Sequence, residues 1–588
     1  MTGRFIGTHL LLVVGISAIL TPLASGQNRP IERAAEQIMR VLGLDEEDAI
    51  PDVEDRREEE VSAPPDATPF GVDLLAIRLV SHQDKVTMSP GVGSARVIID
   101  DDIPAPEGLD ELLRGFLGEP LSMALLSQIG KEIVLAWRES DYPLVDVYYP
   151  EQNITEGKLQ IVVREAVLGE KNVEGATISR DDYLLENLRI DPGDRINKRV
   201  VAADLDWLNE NPIRQVNLIY ERGEADGTSD ILLDVNEEKP ISAYVGFANT
   251  GVQFTGEEEW SFGMTWSNPL RLEHTLGYNY TTDLEWDNLS AHSVFYRHYL
   301  PWRHILSISG AYVTSEAVDQ SVTTTTGLSE QLSVDYRIPL PRPDFNPAWR
   351  HYFSFGFDYK STNTDLIFGG VNIFASNIVV GQFRGAYEVS VVDKRGVTNA
   401  SVGIVGSPGD MFDNNDDLSY GLARIDSEAS YFYAFADFER LHRLPADFTL
   451  RLKVKAQASP NRLGSTEQIL AGGYNTVRGF DESIIRGDSG LITNLELISP
   501  AFSLGGAFSE AADDSFNLLA FYDAAAMDIS EALPVEVSQS LQSAGIGLNC
   551  QFGERGFARA AYGWALDRHG LLRPDDGGKF HFGLTLVY

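Results

Sequence analysis

The sequence predicts a transmembrane β-barrel of about 16 antiparallel strands, preceded by two small α/β domains. Strand-type alternation of apolar and polar residues runs through residues 241–588, and a helix followed by a hairpin occurs twice in residues 70–240. Beyond the first residues no run of about 18 apolar residues occurs, so the signal of a membrane-spanning helix is missing. Any membrane crossing must therefore use strands.

Residues 1–26 have the pattern of a secretory signal peptide. Arg4 lies in a short basic region, an apolar stretch follows from Leu10 to Leu20, and small residues come just before Gln27. We therefore expect the exported chain to begin at Gln27.

Residues 27–43 predict one short amphipathic helix, and residues 44–69 predict an extended linker. Apolar residues recur at helical spacing at Ile31, Ala34, Ile38, Val41 and Leu42. The linker holds ten acidic residues between positions 45 and 60, opposed only by Arg56 and Arg57, and then several prolines. Such a segment cannot pack a core and is extended by its own charge, so the helix before it is tethered and can dock at a distance.

Residues 70–165 and 166–240 each predict a helix followed by a β-hairpin. The apolar helix faces are Leu125, Ile129, Ile133 and Trp137 in the first domain, and Val201, Leu205 and Leu208 in the second. The predicted hairpin strands are 144–149 and 159–164 in the first, and 213–220 and 230–236 in the second.

Charge and cysteine content exclude several classes of protein. The formal net charge of −40 repels nucleic acid. Cys550 is the single cysteine, so no intrachain disulfide can form.

The C-terminal region alternates with a period of two residues. One face carries Phe448, Leu450, Leu452, Val454 and Ala456 in one segment, and Phe353, Phe355, Phe357 and Tyr359 in another. A soluble β-sandwich fits this alternation equally well. The length of the region and its long polar, acidic stretches, such as 409–417, favour a membrane barrel.

The chain ends on an aromatic residue. His581, Gly583, Leu586 and Tyr588 follow the order polar, glycine, apolar, aromatic. A terminal strand of this form resembles the signal read by the outer-membrane insertion machinery, which predicts that machinery and outer-membrane lipid as partners.

Several motifs resemble those of outer-membrane assembly and secretion barrels. The segments are Gly472–Phe480, Gly487–Gly490, Asn494–Leu497 and Phe521–Ala525. The first three resemble the sixth-loop motif and the strand after it, and the last resembles the inner-wall Phe-x-Asp-x-Gly strand. Ala525 replaces the glycine of that pattern, which leaves the backbone packing there open.

Upstream segments resemble two-partner secretion transporters, the TpsB class that includes the ShlB, FhaC and HecB proteins. Asp141–Gly157 is similar to their first polypeptide-transport-associated (POTRA) domain, and Gly227–Asp230 and Val245–Gly251 resemble the end of the second and the first barrel strand. The resemblance implies an outer-membrane protein of a diderm bacterium with POTRA domains in the periplasm. It would bind an extended secreted exoprotein and translocate it without ATP, with residues 27–43 plugging the resting pore.

The motifs also predict an anchor for a loop folded into the barrel. A guanidinium paired bidentately with a wall carboxylate gives a directional contact in a partly desolvated lumen. We assign this pair to Arg478 and Asp523, with Phe521 on the same strand. Beside Val477, Gly479 would allow a tight turn and Phe480 would wedge against the wall.

POTRA domains would receive an unfolded client most simply by adding its strand to an exposed sheet edge. The strands near 159–163 and 213–220 are the candidate edges. The candidate contact residues are Leu159, Ile161, Val163, Val216 and Leu218.

Three alternatives remain. A barrel-assembly factor would share the loop motif, but such proteins usually carry more POTRA domains; a porin-like uptake barrel would leave residues 70–240 without a purpose; a soluble enzyme is the third. Gly487–Gly490 resembles a protease nucleophile turn, but no histidine lies in a matching motif. Asp413–Asp417 lacks the glycine and glutamate of a calcium loop. We expect no catalytic residue, metal or cofactor.

Overall fold

The structure is a computed structural model, which describes residues 53–55, 66–87, 96–138, 140–316, 323–343, 346, 348–368, 371–505, 514–553, 555–570 and 577–588. The predicted signal peptide at 1–26 and the predicted helix at 27–43 lie outside these residues. So does most of the linker at 44–69. The chain divides into two compact units, one over Ile50–Glu238 and the other containing Lys239–Tyr588.

The first unit holds two α/β sheets. Its elements are β1 Val53–Asp55, β2 Ala76–Val80, β3 Arg96–Ile99, α1 Leu109–Arg114, α2 Met123–Arg138, β4 Val145–Tyr148, β5 Lys158–Glu165, β6 Val167–Glu174, α3 Asp181–Glu186, α4 Lys198–Leu208, β7 Arg214–Arg222 and β8 Thr228–Glu237.

The first sheet has the strand order β3-β2-β5-β4. Helix α2 packs on it through the predicted apolar face, since Leu125, Ile129, Ile133 and Trp137 all belong to the buried core of this domain. The spacing of three to four residues places these side chains on one side of the helix. The predicted helix is therefore confirmed.

The second sheet has the order β1-β7-β8-β6. Helix α4 covers it with Val201, Leu205 and Leu208, as predicted. The Asn197 side chain caps this helix by accepting hydrogen bonds from the backbone amides of Arg199 at 3.0 Å and Val200 at 3.2 Å.

The prediction of the free sheet edges is wrong. β5, which carries Leu159, Ile161 and Val163, lies between β2 and β4, and these three side chains are buried in the core. β7 pairs with β8 along its length, and Leu218–Tyr220 also pairs with β1 in parallel. The side chains of Val216 and Leu218 lie in the core.

The error arose because a hairpin pattern identifies two strands that pair with each other. It does not show whether a third strand, distant in sequence, pairs with the other side of one of them. In the first sheet β2, from the start of the domain, pairs with β5 in parallel. Among the described strands the outer ones are β3 and β4 in the first sheet and β1 and β6 in the second.

The second unit is a closed barrel of 16 antiparallel strands, as predicted. In order around the barrel these are β9 Ile241–Ala248, β10 Glu259–Ser267, β11 His274–Asp283, β12 Leu289–Tyr299, β13 Ile305–Glu316, β14 Thr323–Pro339, β15 Trp349–Phe368, β16 Val371–Asp393, β17 Gly396–Pro408, β18 Ser430–Arg443, β19 Thr449–Ala458, β22 Ser489–Ile498, β23 Asp514–Asp528, β24 Gln539–Phe552, β25 Gly556–His569 and β26 Gly578–Val587. A separate hairpin, β20 Ile469–Ala471 and β21 Ile485–Gly487, interrupts the order between β19 and β22, and a short helix α5, Asp417–Ala423, follows β17.

The barrel exposes its apolar face and buries its polar face. On β15, Phe353 and Phe355 are 46% and 55% exposed, whereas Ser354 and Asp358 are each 7% exposed. A soluble sandwich would show the reverse, since apolar side chains gain from leaving water. This inversion is what a lipid-facing wall around a polar lumen requires, and it resolves the ambiguity that alternation alone left open. Among the described residues, no helix has the length and hydropathy needed to cross a membrane.

Candidate functional site

The segment 459–488 connects β19 to β22 and folds into the barrel. We call it the lumen loop. Its two legs pair as the β20–β21 hairpin, with Ile469 opposite Gly487 and Ala471 opposite Ile485. Its tip, residues 472–484, contacts side chains on the inner wall, so the loop is held by the barrel as well as by its own hairpin.

Arg478 and Asp523 form the pair predicted from the motifs. Arg478 Nε donates to Asp523 Oδ2 at 2.7 Å and Nη2 donates to Oδ1 at 2.8 Å, while the Arg478 backbone amide donates to Oδ2 at 3.1 Å. Arg478 is 3% exposed and Asp523 is fully buried. A bidentate pair with a third bond fixes both the position and the rotation of the loop tip.

Two further wall residues complete the contact, and we did not predict either as a site residue. Glu496 on β22 accepts from Arg478 Nη1 at 2.6 Å, and the Asn494 side chain donates to Asp523 Oδ1 at 2.9 Å and to the carbonyl of Thr476. The guanidinium also lies 3.5 Å from the centre of the Phe521 ring. The sequence contains a pattern that could have identified both residues. Asn494 and Glu496 are two positions apart, so their side chains lie on the same face of the strand.

Gly479 allows the loop tip to lie directly on the wall. Its φ is +89°, and a Cβ there would come within 2.7 Å of the Gly563 carbonyl oxygen. At Gly563 a Cβ would lie 2.6 Å from the Gly479 nitrogen. Both positions therefore need glycine: Gly479 for its backbone conformation and both for the close approach.

Apolar contacts hold the other side of the tip. Val477 and Phe480 are fully buried. They share a cluster with residues of the hairpin and of the wall, namely Ile469, Ala471, Ile485, Ile492, Ala525, Met527 and Leu541. Phe480 thus lies as predicted, and Ala525 is accommodated as part of this cluster.

The terminal residues divide between the two faces of β26. His581 is buried and its Nε2 accepts a hydrogen bond from the Gly479 amide at 3.1 Å, whereas Leu586 and Tyr588 are 51% and 81% exposed. Gly583 follows His581 on the inner face, two residues along the strand. His581 therefore contacts the loop tip, a contact that the terminal pattern did not predict. The insertion signal stays a prediction.

The legs of the lumen loop carry their own ion pairs. Glu467 accepts from Lys360 Nζ on β15 at 2.7 Å and from the Tyr433 hydroxyl on β18 at 3.1 Å. Asp488 pairs with both terminal nitrogens of Arg424, at 2.5 and 3.0 Å. The loop is thus anchored at its base and at its tip. Among the described residues, no group of acidic, histidine or cysteine side chains could hold a metal ion.

The free edge of β4 is a second candidate site. Ala166 donates to the carbonyl of Leu144 at 3.0 Å, so the bonded pairs between β4 and β5 fall on alternate residues. By that alternation Val145 and Val147 direct their amides and carbonyls away from β5. No described strand pairs with this edge, so it can accept one.

A closed barrel with an apolar exterior, an inward-folded loop locked to its wall and an α/β unit with a free sheet edge define a membrane transporter of the POTRA–barrel class. The family model described as haemolysin secretion/activation protein ShlB/FhaC/HecB matches residues 227–548, and the ShlB-type POTRA domain matches residues 103–166. The chain belongs to this family of two-partner secretion transporters, which act with a secreted exoprotein. Its barrel lies in the outer membrane and its POTRA domains lie in the periplasm.

Two relatives and one solved structure are similar to this chain over most of its length. The heme/hemopexin transporter protein HuxB of Haemophilus influenzae (strain 86-028NP) is 21% identical over 487 residues, 75% of this chain and 77% of that protein. The outer membrane transporter CdiB-2 of Burkholderia pseudomallei (strain 1026b) is 23% identical over 68% of this chain and 65% of that protein. The solved structure of CdiB from Escherichia coli has a TM-score of 0.68 at 18% identity and covers 98% of each chain, which supports the fold.

Proposed function

We propose that this protein binds one extended secreted client in the periplasm and passes it through the barrel lumen without nucleotide hydrolysis. The observation that carries the proposal is the family match over the barrel and the lumen loop, residues 227–548. Folding of the client outside the cell would supply the direction of transport. The protein has no catalytic role in this proposal.

The client binds at the free edge of β4. An added strand borrows main-chain hydrogen bonds from Val145 and Val147, which tolerates variation in client sequence. The side chains first predicted as contacts are buried, so recognition through Leu159 or Val216 would require the domain to unfold. The two α/β domains, at 70–165 and 166–240, act as separate receiving modules.

The Arg478–Asp523 contact is the lock that holds the lumen loop in its resting position. Ion pairs and hydrogen bonds in a polar lumen can be exchanged for hydrogen bonds to water when the loop moves, whereas the apolar side chains of Val477 and Phe480 gain no such replacement. The lock therefore suits a loop that must hold and then release. The exposed Leu586 and Tyr588 contact outer-membrane lipid, and the insertion machinery reads the terminal strand.

A proline at position 147 tests client binding. Val147→Pro removes an amide donor from the free edge and leaves the bonds to β5 in place, because the Val147 amide points away from that strand. Val147 also packs against the domain core, so Val147→Ala is the matched control for lost packing. Export of an exoprotein encoded beside the gene should fall about tenfold in the proline variant and little in the alanine variant.

A photo-activated cross-linker at Tyr148 in the full transporter provides the direct measurement. It should capture the exoprotein during export, and the same cross-linker at Arg96, on the opposite edge of the sheet, should not. Equal capture at both positions would reject β4 as the receiving edge.

ATP independence is tested with the purified transporter in vesicles. Client uptake that requires added ATP would contradict the proposal.

A further inference from the structure

The seam where the barrel closes is the least completely paired junction between its strands. β26 pairs with β9 over five residues, Gly583–Val587 with Tyr244–Ala248, whereas it pairs with β25 over nine. The next shortest pairing, β9 with β10, covers eight. The structure describes every residue of β9, β10, β25 and β26, so the shorter pairing is a property of the seam.

The lower half of the seam is closed by main chain. Tyr588 donates to the Ala243 carbonyl at 2.8 Å and accepts from the Ala243 amide at 3.2 Å, which continues the ladder to the end of the chain. Above Gly583 the main chain contributes one more bond, from the Asn249 amide to the Phe582 carbonyl at 3.3 Å, and then the ladder stops. The Asn249 side chain takes its place, donating to the Phe580 carbonyl at 2.8 Å and accepting from the Phe582 amide at 2.8 Å.

Above Asn249 the connection passes through the lumen loop. Lys579 Nζ on β26 donates to Asp481 Oδ1 at 2.6 Å, and Asp481 Oδ2 accepts from the Gln253 side chain at 2.6 Å. Gln253 lies in the segment 249–258 that follows β9. Lys579 also reaches Glu257 of that segment at 2.9 Å. Asp481 thus bridges the last strand of the barrel and the loop after the first.

We propose that Asp481 clasps the upper half of the barrel seam, so that the position of the lumen loop sets how firmly β26 and the β9–β10 loop stay joined beyond the direct contact of Lys579 with Glu257. The bridge belongs to the same loop tip that carries Arg478 and Gly479, and the Gly479 amide bonds His581 on β26. Withdrawal of the tip therefore removes two supports from β26 in a single movement. The inference does not depend on the identity or transport of a client.

Hydrogen–deuterium exchange of the full-length protein in nanodiscs tests the clasp. Asp481→Asn removes the charge that pairs with Lys579 and should make the seam-facing amides of 579–582, those of Phe580 and Phe582, exchange about tenfold faster. The amides of Lys579 and His581 face β25 and stay paired. The amides of 583–587 should change much less, because the ladder holds them. The control is Asp528→Asn, whose carboxylate accepts from the Ser538 hydroxyl at 2.7 Å, far from the seam in strand order; it should leave 579–582 unchanged.

Two further variants keep the test decisive if Asp481→Asn disturbs insertion. Gln253→Ala removes the other end of the bridge without changing charge and should also speed exchange at 579–582. Glu257→Gln leaves the Asp481 bridge intact and should have the smaller effect. Unchanged exchange at 579–582 in a heat-modifiable, folded Asp481→Asn barrel overturns the proposal, as does an effect of Glu257→Gln as large as that of Asp481→Asn.

A disulfide across the seam gives an independent measurement. A Cβ at Gly583 would lie 3.6 Å from the Ala248 Cβ, within disulfide range, with only the Arg559 side chain to move. In a Cys550→Ala background, the Ala248→Cys, Gly583→Cys pair should oxidise readily. Because Gly583 and Ala248 are paired within the ladder, adding Asp481→Asn should leave that oxidation nearly unchanged while exchange at 579–582 speeds up. A marked slowing of oxidation would mean that the whole seam had loosened, and would count against a clasp confined to its upper half.

Discussion

The first α/β domain and the lumen loop of the barrel are stabilised by different kinds of contact. The first domain packs Trp137 and the α2 face into a core of apolar side chains. The tip of the lumen loop has a smaller apolar cluster on one side and, on the other, the buried charged groups of Arg478, Asp523 and Glu496. An apolar core fixes a sheet permanently and leaves its edge free for a client. A buried ion network fixes a loop only while every partner is present. The difference separates a permanent receiving surface from a releasable lock.

The largest expected effect is loss of the apolar core. Trp137→Ala should lower the free energy of unfolding of the first domain by about 3–5 kcal/mol, while the barrel remains heat-modifiable on gels. Leu135→Ala is the matched control, because Leu135 lies on the same helix and is 41% exposed. Urea titration monitored by limited proteolysis of the periplasmic unit measures the difference. A similar loss in both variants would mean that packing in this domain is not specific.

Breaking the lock should have the next largest effect, of about 3–5 kcal/mol on the closed position of the loop, since Arg478→Ala leaves the buried Asp523 carboxylate without its cationic partner. Glu496 keeps a contact with Arg451 at 3.4 Å. Planar-bilayer conductance should rise and export should fall. The exchanged pair Arg478→Asp with Asp523→Arg should restore part of both, and only part, because Asp at 478 would face Glu496. Arg440→Gln, whose arginine pairs with Asp393, is the control. No rescue would argue against a direct contact.

A smaller displacement of the loop should follow Gly563→Ala. All charges of the lock remain, but the added Cβ would lie 2.6 Å from the Gly479 nitrogen, a strain of about 1–3 kcal/mol. Conductance should therefore fall between that of the native protein and that of Arg478→Ala. Gly385→Ala is the matched control, since a Cβ there has no heavy atom within 4 Å. If both alanine variants conduct alike, the close approach does not position the tip.

The smallest expected effect comes from the charge of one carboxyl group, Glu237, in the second α/β domain. Burial favours the neutral form of Glu237, but hydrogen bonds from Ser179, Ile178 and Thr177 outweigh it and lower the pKa of this carboxyl. A lowered pKa in the folded state stabilises the domain above the ordinary pKa of glutamate, and that stability is lost as pH falls through the lowered pKa.

Glu237→Gln should therefore cost the second domain about 1 kcal/mol at pH 7, with much of the charge effect screened by solvent. Thermal unfolding of both proteins between pH 7 and pH 3 should show the gap closing as pH falls. A gap that stays constant with pH would mean that the carboxylate charge contributes nothing.

Much of the candidate site could be predicted from the sequence, because it consists of local patterns. The segment from Val477 to Phe480 and the Phe521–Asp523 strand are short motifs. Once one is identified as a loop tip and the other as a wall strand, a contact between them can be proposed. Glu496 could have been found from its spacing to Asn494. The contact of His581 with Gly479 could not, because the two residues are 102 positions apart and no local pattern joins them.

The sequence by itself determined the local structure: helix α2 from a period of three to four residues, the barrel strands from a period of two, and the glycines at the loop tip. These follow from backbone geometry, which each segment expresses alone. The tertiary structure alone decided which strands are edges, where the short barrel seam lies, and that Asp481 bridges it. Strand neighbours in a sheet are chosen by pairing between distant segments, and that pairing placed β5 in the centre of its sheet and left β4 open.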